Sequence, residues 1–119
     1  MSGKGLIAVP ASIAVALAIV LPASGASTAT VVNVTAGKPS ELKFTLSKKS
    51  VAKGVVTFKV TNKGMIEHDF KIGGKATKKL KAGQSQTLKV TFKKAGKFPY
   101  ICTLPGHAAG GMKGVLAVK

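Results

Sequence analysis

Apolar and polar residues alternate one by one along three stretches of the chain. In Leu42-Lys-Phe-Thr-Leu46 the apolar face is Leu42, Phe44 and Leu46. Val56-Thr-Phe-Lys-Val60 and Leu88-Lys-Val-Thr-Phe92 repeat the pattern. The intervening positions are Lys or Thr, so each stretch reads as a strand with one dry face and one wet face. Residues 31–34, 69–72, 98–102 and 115–118 are further candidate strands. Turn signals separate them: Gly37-Lys-Pro39, Asn62-Lys-Gly64, Gly73-Gly74, Ala82-Gly83 and Ala95-Gly96. Short strands at regular spacing, with no helical periodicity between them, predict an all-β sandwich of about seven to eight strands.

The amino-terminal stretch breaks this pattern. Residues 6–21 are apolar, preceded by Lys4 and followed by Pro22-Ala-Ser-Gly-Ala. A short basic segment, an apolar run and a small-residue exit describe a secretory signal peptide over residues 1–26. A retained membrane anchor is the competing reading. The run is shorter than the roughly 20 residues a spanning helix needs, which favours cleavage. The expectation is therefore one domain, residues 27–119, exported to the periplasm, the cell surface or the medium.

Charge sharpens the picture of the surface. The formal net charge is +16, every basic residue is lysine, and the acids are Glu41, Glu67 and Asp69. Such a surface keeps a protein soluble and discourages strand edges from pairing. It also attracts acidic partner proteins and anionic membrane or wall surfaces. Nucleic acid is not an expected partner. There is no arginine for bidentate contacts, and the few aromatics are needed in the core.

The candidate chemistry gathers in Cys102-Thr-Leu-Pro-Gly-His107-Ala-Ala-Gly-Gly-Met112. The segment holds the only cysteine, one of two histidines and one of three methionines. The other histidine, His68, lies upstream in Met-Ile-Glu-His-Asp-Phe. A lone cysteine in an exported chain forms no internal disulfide and is better explained as a metal-held thiolate. A thiolate, a thioether and two imidazoles form a soft donor set suited to copper passing between Cu(I) and Cu(II). Zinc is the chemical rival for the Cys and His donors, but it has little use for a thioether. No histidine is left over for a catalytic metal, so catalysis by this domain alone is not expected. Gly110-Gly111 is placed to turn the chain so that Met112 can approach the other donors.

These motifs carry a resemblance. Asn62-x5-His68-Asp-Phe70, Phe98-Pro-Tyr-Ile-Cys102-Thr-Leu-Pro-Gly-His107 and Met112 resemble a cupredoxin, a small blue copper protein, over essentially the whole of residues 27–119. The four-and-four spacing Cys-x4-His-x4-Met is closer to the rusticyanin and auracyanin type than to plastocyanin. The resemblance implies a Greek-key β-sandwich with one type 1 copper per chain. It implies that His68, Cys102 and His107 form a trigonal plane, the histidines through Nδ1, with Met112 as a weak axial ligand. The implied function is single-electron transfer between redox proteins by a monomer, and the lysine surface suggests that at least one partner is acidic. The partner would dock near His107, with Ala108, Ala109 and Met65 forming an apolar rim.

Two positions depart from the family pattern. Asp69 stands where relatives often carry Asn or Ser. Its carboxylate is expected to tie the two ligand segments together by accepting backbone N–H bonds. Ile101 stands before the cysteine, where plastocyanin uses a tyrosine as a second electron path. Tyr100 should point to the opposite face, so that second port is not expected here. Copper storage or delivery, and a basic adhesion module with a vestigial site, are the alternative functions.

Overall fold

The computed structural model describes residues 29–119. The segment read as a signal peptide or anchor lies outside the described residues. Nine strands follow in order: β1 (Thr30–Ala36), β2 (Phe44–Leu46), β3 (Ser50–Val51), β4 (Gly54–Asn62), β5 (Lys71–Ile72), β6 (Lys75–Ala76), β7 (Ser85–Phe92), β8 (Gly96–Ile101) and β9 (Lys113–Val118). They form two sheets, one ordered β2-β1-β4-β7 and the other β3-β9-β8-β5-β6. The chain repeatedly crosses between the sheets, so each sheet is assembled from strands distant in sequence.

Alternation sets the register. β4 and β7 pair antiparallel with Val56 opposite Val90 and Phe58 opposite Leu88. β1 runs parallel to β4 and places Val32 beside Phe58 and Val34 beside Val60. All of these side chains are buried, while Lys59 and Lys89 on the other face are exposed. A one-residue slip would turn the lysines inward, so burial of one face specifies the pairing. The second sheet contributes Val51, Ile72, Tyr100, Leu116 and Val118 to the same core.

Aromatic side chains link the layers. Phe70 lies between Phe58 and Phe44, with ring centroids 5.3 Å from each. Phe44 also meets Tyr100 edge-on at 5.7 Å. Tyr100 is buried against the core, and its burial pushes the phenol above its ordinary value. It is thus largely shielded from solvent, whereas the neighbouring Ile101 is half-buried.

The strand expected over residues 42–46 is shorter than its pattern. Only Phe44–Leu46 pairs with β1. Leu42 instead packs with Ala36, Cys102 and Met112 in a small second cluster at one end of the sandwich. β3 and β6 were not marked by any periodic pattern. Each is a two-residue strand at a sheet edge, too short to show alternation.

Candidate metal centre

The ends of several strands meet where β8 stops. Cys102 follows the last residue of β8, and its N–H donates to the Met112 carbonyl at 3.1 Å. Between them residues 103–111 form a compact turn. His107 N–H donates to the Leu104 carbonyl at 3.1 Å, and the Met112 N–H donates to the His107 carbonyl at 2.9 Å. Gly111 has φ +113°, a left-handed conformation that side chains rarely adopt, and it reverses the chain into Met112. The expected turning role of the Gly110-Gly111 pair is thus met at Gly111.

His68 arrives from a different part of the chain. Its N–H donates to the Leu80 carbonyl at 3.1 Å, and the Leu80 N–H returns a bond to the His68 carbonyl at 2.8 Å. Asn62, fully buried at the end of β4, anchors the preceding loop. Its Nδ2 donates to the carbonyls of Ile66 and Leu80, each at 2.8 Å, and its Oδ1 accepts from the Gly64 N–H at 2.8 Å. One side chain thus bonds three backbone groups around His68.

These elements bring the predicted donors together. His68 Nδ1 lies 3.2 Å from His107 Nδ1, and Cys102 Sγ lies 3.3 Å from His107 Nδ1. The donor atoms of His68, Cys102 and His107 all fall within 4.8 Å of one another. Met112 is fully buried beside Cys102 and Ala36. His68 is fully buried, whereas His107 is partly exposed. Of the expected rim residues, Met65 is 86% exposed, Ala109 is exposed and Ala108 is half-buried. Ile66 adds a further exposed apolar side chain on the same loop.

Hydrogen bonding shows what the donors are prepared to hold. Oε2 of Glu41 lies 2.6 Å from His68 Nε2. An ionised carboxylate only accepts, so Nε2 carries the proton and Nδ1 presents its lone pair toward His107 and Cys102. Two ring nitrogens and a sulfur thus converge with few protons to share, an arrangement that a cation would satisfy. The soft sulfur, the two imidazoles and the adjacent thioether fit copper.

Asp69 and Glu41 complete the surroundings. Asp69 is buried, and its carboxylate accepts both the N–H and the hydroxyl of Thr103; the N–H bond is 2.6 Å. The bridge between the two ligand segments is the one the sequence suggested. The Asp69 N–H points at Cys102 Sγ from 3.5 Å. Burial, the largest influence, pushes the Cys102 thiol above its ordinary value. N–H groups of Asp69 and Leu104 oppose that shift, and the Asp69 carboxylate reinforces it. Glu41 is held below the usual carboxylate range, first by the Met65 N–H and then by His68. Glu41 carries no signal in the sequence that would connect it to His68; only the folded loops reveal the contact.

Comparison with known proteins agrees with this geometry. The cupredoxin-like domain family matches residues 9–118, starting within the apolar amino-terminal run. The chain is 30% identical over 100 aligned residues to the copper-resistant cuproprotein CopI of Rubrivivax gelatinosus. That match covers 66% of this chain and 61% of the relative, so the chain spans less than two-thirds of that protein. Auracyanin B superposes with a TM-score of 0.68 at 26% identity, covering 78% of this chain and 91% of its own. Rusticyanin from Thiobacillus ferrooxidans superposes with a TM-score of 0.66 at 22% identity, covering 79% and 80%, and shares the fold.

Proposed function

This chain belongs to the cupredoxin-like family, and from that premise we propose that it is an electron-transfer copper protein that shuttles single electrons between redox partners outside the cytoplasm. In this proposal His68, Cys102, His107 and Met112 would hold the copper. The observation that carries the reading is the convergence of His68 Nδ1, His107 Nδ1 and Cys102 Sγ across 3.2 and 3.3 Å. Copper bound there supplies one electron at a time by passing between Cu(I) and Cu(II).

The chain's own residues suit that task. Cys102 and Met112 pack with Ala36, Leu42, Phe44 and Leu104, which keep water from the sulfur. The two ligand segments are fixed by Asn62, Asp69 and the Cys102–Met112 backbone bond, so little has to move when charge changes. His107 is partly exposed and is the proposed port for electrons. Lys43, Lys63 and Lys113 are exposed in the segments flanking the ligands, which favours an acidic partner. The apolar run at residues 6–21 supports export.

Reversible voltammetry of the copper-loaded protein tests the proposal. Repeated one-electron cycling without loss of metal supports the shuttle. The copper-resistance relatives favour a second reading, copper handling. In that case the metal transfers rapidly to a competing chelator and is lost on reduction.

A further inference from the structure

Glu41 is the only acidic side chain that touches an imidazole of the site among the described residues, and it comes from a loop with no other part in the ligand set. It lies between β1 and β2, far from His68 in sequence. Its Oε2 sits 2.6 Å from His68 Nε2. The same carboxylate accepts from the Met65 N–H at 2.9 and 3.1 Å and from the Ile66 N–H at 3.3 Å. The carboxylate is therefore held from two sides while His68, fully buried, is held by it.

The backbone is shaped to admit this contact. Gly37 and Gly64 let their two loops touch: a Cβ at Gly37 would stand 2.5 Å from the Gly64 Cα. A Cβ at Gly64 would collide with the Glu41 carboxylate and stand 2.9 Å from His68 Nε2. The Lys63 N–H donates to the Ala36 carbonyl at 2.8 Å and fastens the same junction. Any residue other than glycine at position 64 would fill the space that Glu41 and His68 share.

We propose that Glu41 is a positioning residue for the metal: it fixes the tautomer and orientation of His68 and makes that imidazole a stronger donor, favouring Cu(II) over Cu(I). The inference rests on the copper reading given above. An anionic acceptor on the far ring nitrogen draws the Nε2 proton toward itself and leaves Nδ1 richer in electron density. The richer donor stabilises the more highly charged oxidation state, so the midpoint potential is lowered. Asp69 cannot substitute, because both of its carboxylate oxygens are taken by Thr103. Glu67, next to His68 in sequence, is exposed.

The test compares Glu41→Gln with Glu67→Gln, which removes the same charge from a neighbour that does not hold the ring. Removing a carboxylate that orients a ligand changes metal affinity about 10- to 100-fold. If the loss falls on Cu(II), a tenfold change in relative affinity raises a one-electron potential by about 59 mV. The expected result is a rise of at least that size in Glu41→Gln and a smaller one in Glu67→Gln. Nitrogen-edited NMR of the metal-free protein supplies a readout independent of copper. In the wild type the His68 Nε2–H should be slow to exchange and shifted downfield; in Glu41→Gln it should exchange quickly or move upfield. Glu41→Asp, with a shorter arm and the same charge, should resemble Glu41→Gln in the NMR readout. Equal potential shifts in the Gln variants, or an unchanged Nε2–H resonance, would overturn the inference. Failure of the wild type to bind copper through Cys102 would instead overturn the copper reading, and the metal-free NMR would still decide what Glu41 does.

Discussion

Asp69 and Thr103 join the two ligand-bearing segments of the metal centre. Asp69 follows His68, Thr103 follows Cys102, and the Thr103 N–H donates to Asp69 Oδ1 at 2.6 Å. The Thr103 hydroxyl bonds the other carboxylate oxygen. The Asp69 N–H in turn points at Cys102 Sγ. A single buried carboxylate thereby fixes the spacing of an imidazole and a sulfur that come from segments distant in sequence.

Replacing that carboxylate should have separable effects. Asp69→Ala leaves the Thr103 N–H without its partner and should cost about 1–3 kcal/mol of metal-free stability by chemical denaturation. Asp69→Asn retains an acceptor but removes a negative charge beside the sulfur. It should raise the midpoint potential measured by voltammetry, and an unchanged potential would show that this charge does not reach the metal.

Gly64→Ala should damage the site without touching a ligand. The new methyl group collides with the Glu41 carboxylate and crowds His68 Nε2. Overpacking of this kind typically costs about 1–3 kcal/mol. Copper titration should show weakened binding, and equilibrium unfolding should show the stability loss. Wild-type affinity in Gly64→Ala would mean that the two loops separate freely.

Asn62→Ala should be among the most damaging polar substitutions. It strands the Ile66 carbonyl and the Gly64 N–H, both bonded to Asn62 at 2.8 Å, and removes one of the two donors to the Leu80 carbonyl. Each buried group left unpaired costs about 1–3 kcal/mol. Equilibrium denaturation should register the loss, and the loop before His68 should exchange its amide hydrogens faster than in the wild type.

These examples show which parts of the molecule can be read from the chain. Phe58 and Leu88 are legible because strict alternation places each on the dry face of its own strand, and the two faces then meet in register. The ligands are legible because cysteine and histidine are so scarce here that their chemistry leaves few assignments. Glu41 is not legible. Its bond to His68 depends on two glycines allowing separate loops to touch, and no local pattern records that approach. Leu42 misleads for a related reason. It continues the alternation of β2 but packs with Cys102 and Met112, because the chain joins the sheet only at Phe44.

Proton release should accompany metal uptake. Burial holds the Cys102 thiol above its ordinary value of 9.0, so the metal-free protein carries a proton there at neutral pH. A thiolate ligand must lose it, and apparent copper affinity should therefore rise with pH. The linkage for metal-free stability has the opposite sign. Above the ordinary thiol value the folded chain binds more protons at Cys102 than the unfolded chain does, so this contribution fades as pH rises toward the folded value. Thermal unfolding of the metal-free protein across alkaline pH should show a loss that is smaller in Cys102→Ser.

A copper site built on Cys102 is open to one decisive comparison, the visible and EPR spectra of the Cu(II)-loaded protein beside those of Cys102→Ser. An intense visible thiolate-to-copper band with narrow copper hyperfine splitting, absent from Cys102→Ser, is the predicted result. A pale, ordinary Cu(II) spectrum in the wild type, or a spectrum unaffected by Cys102→Ser, would contradict the account.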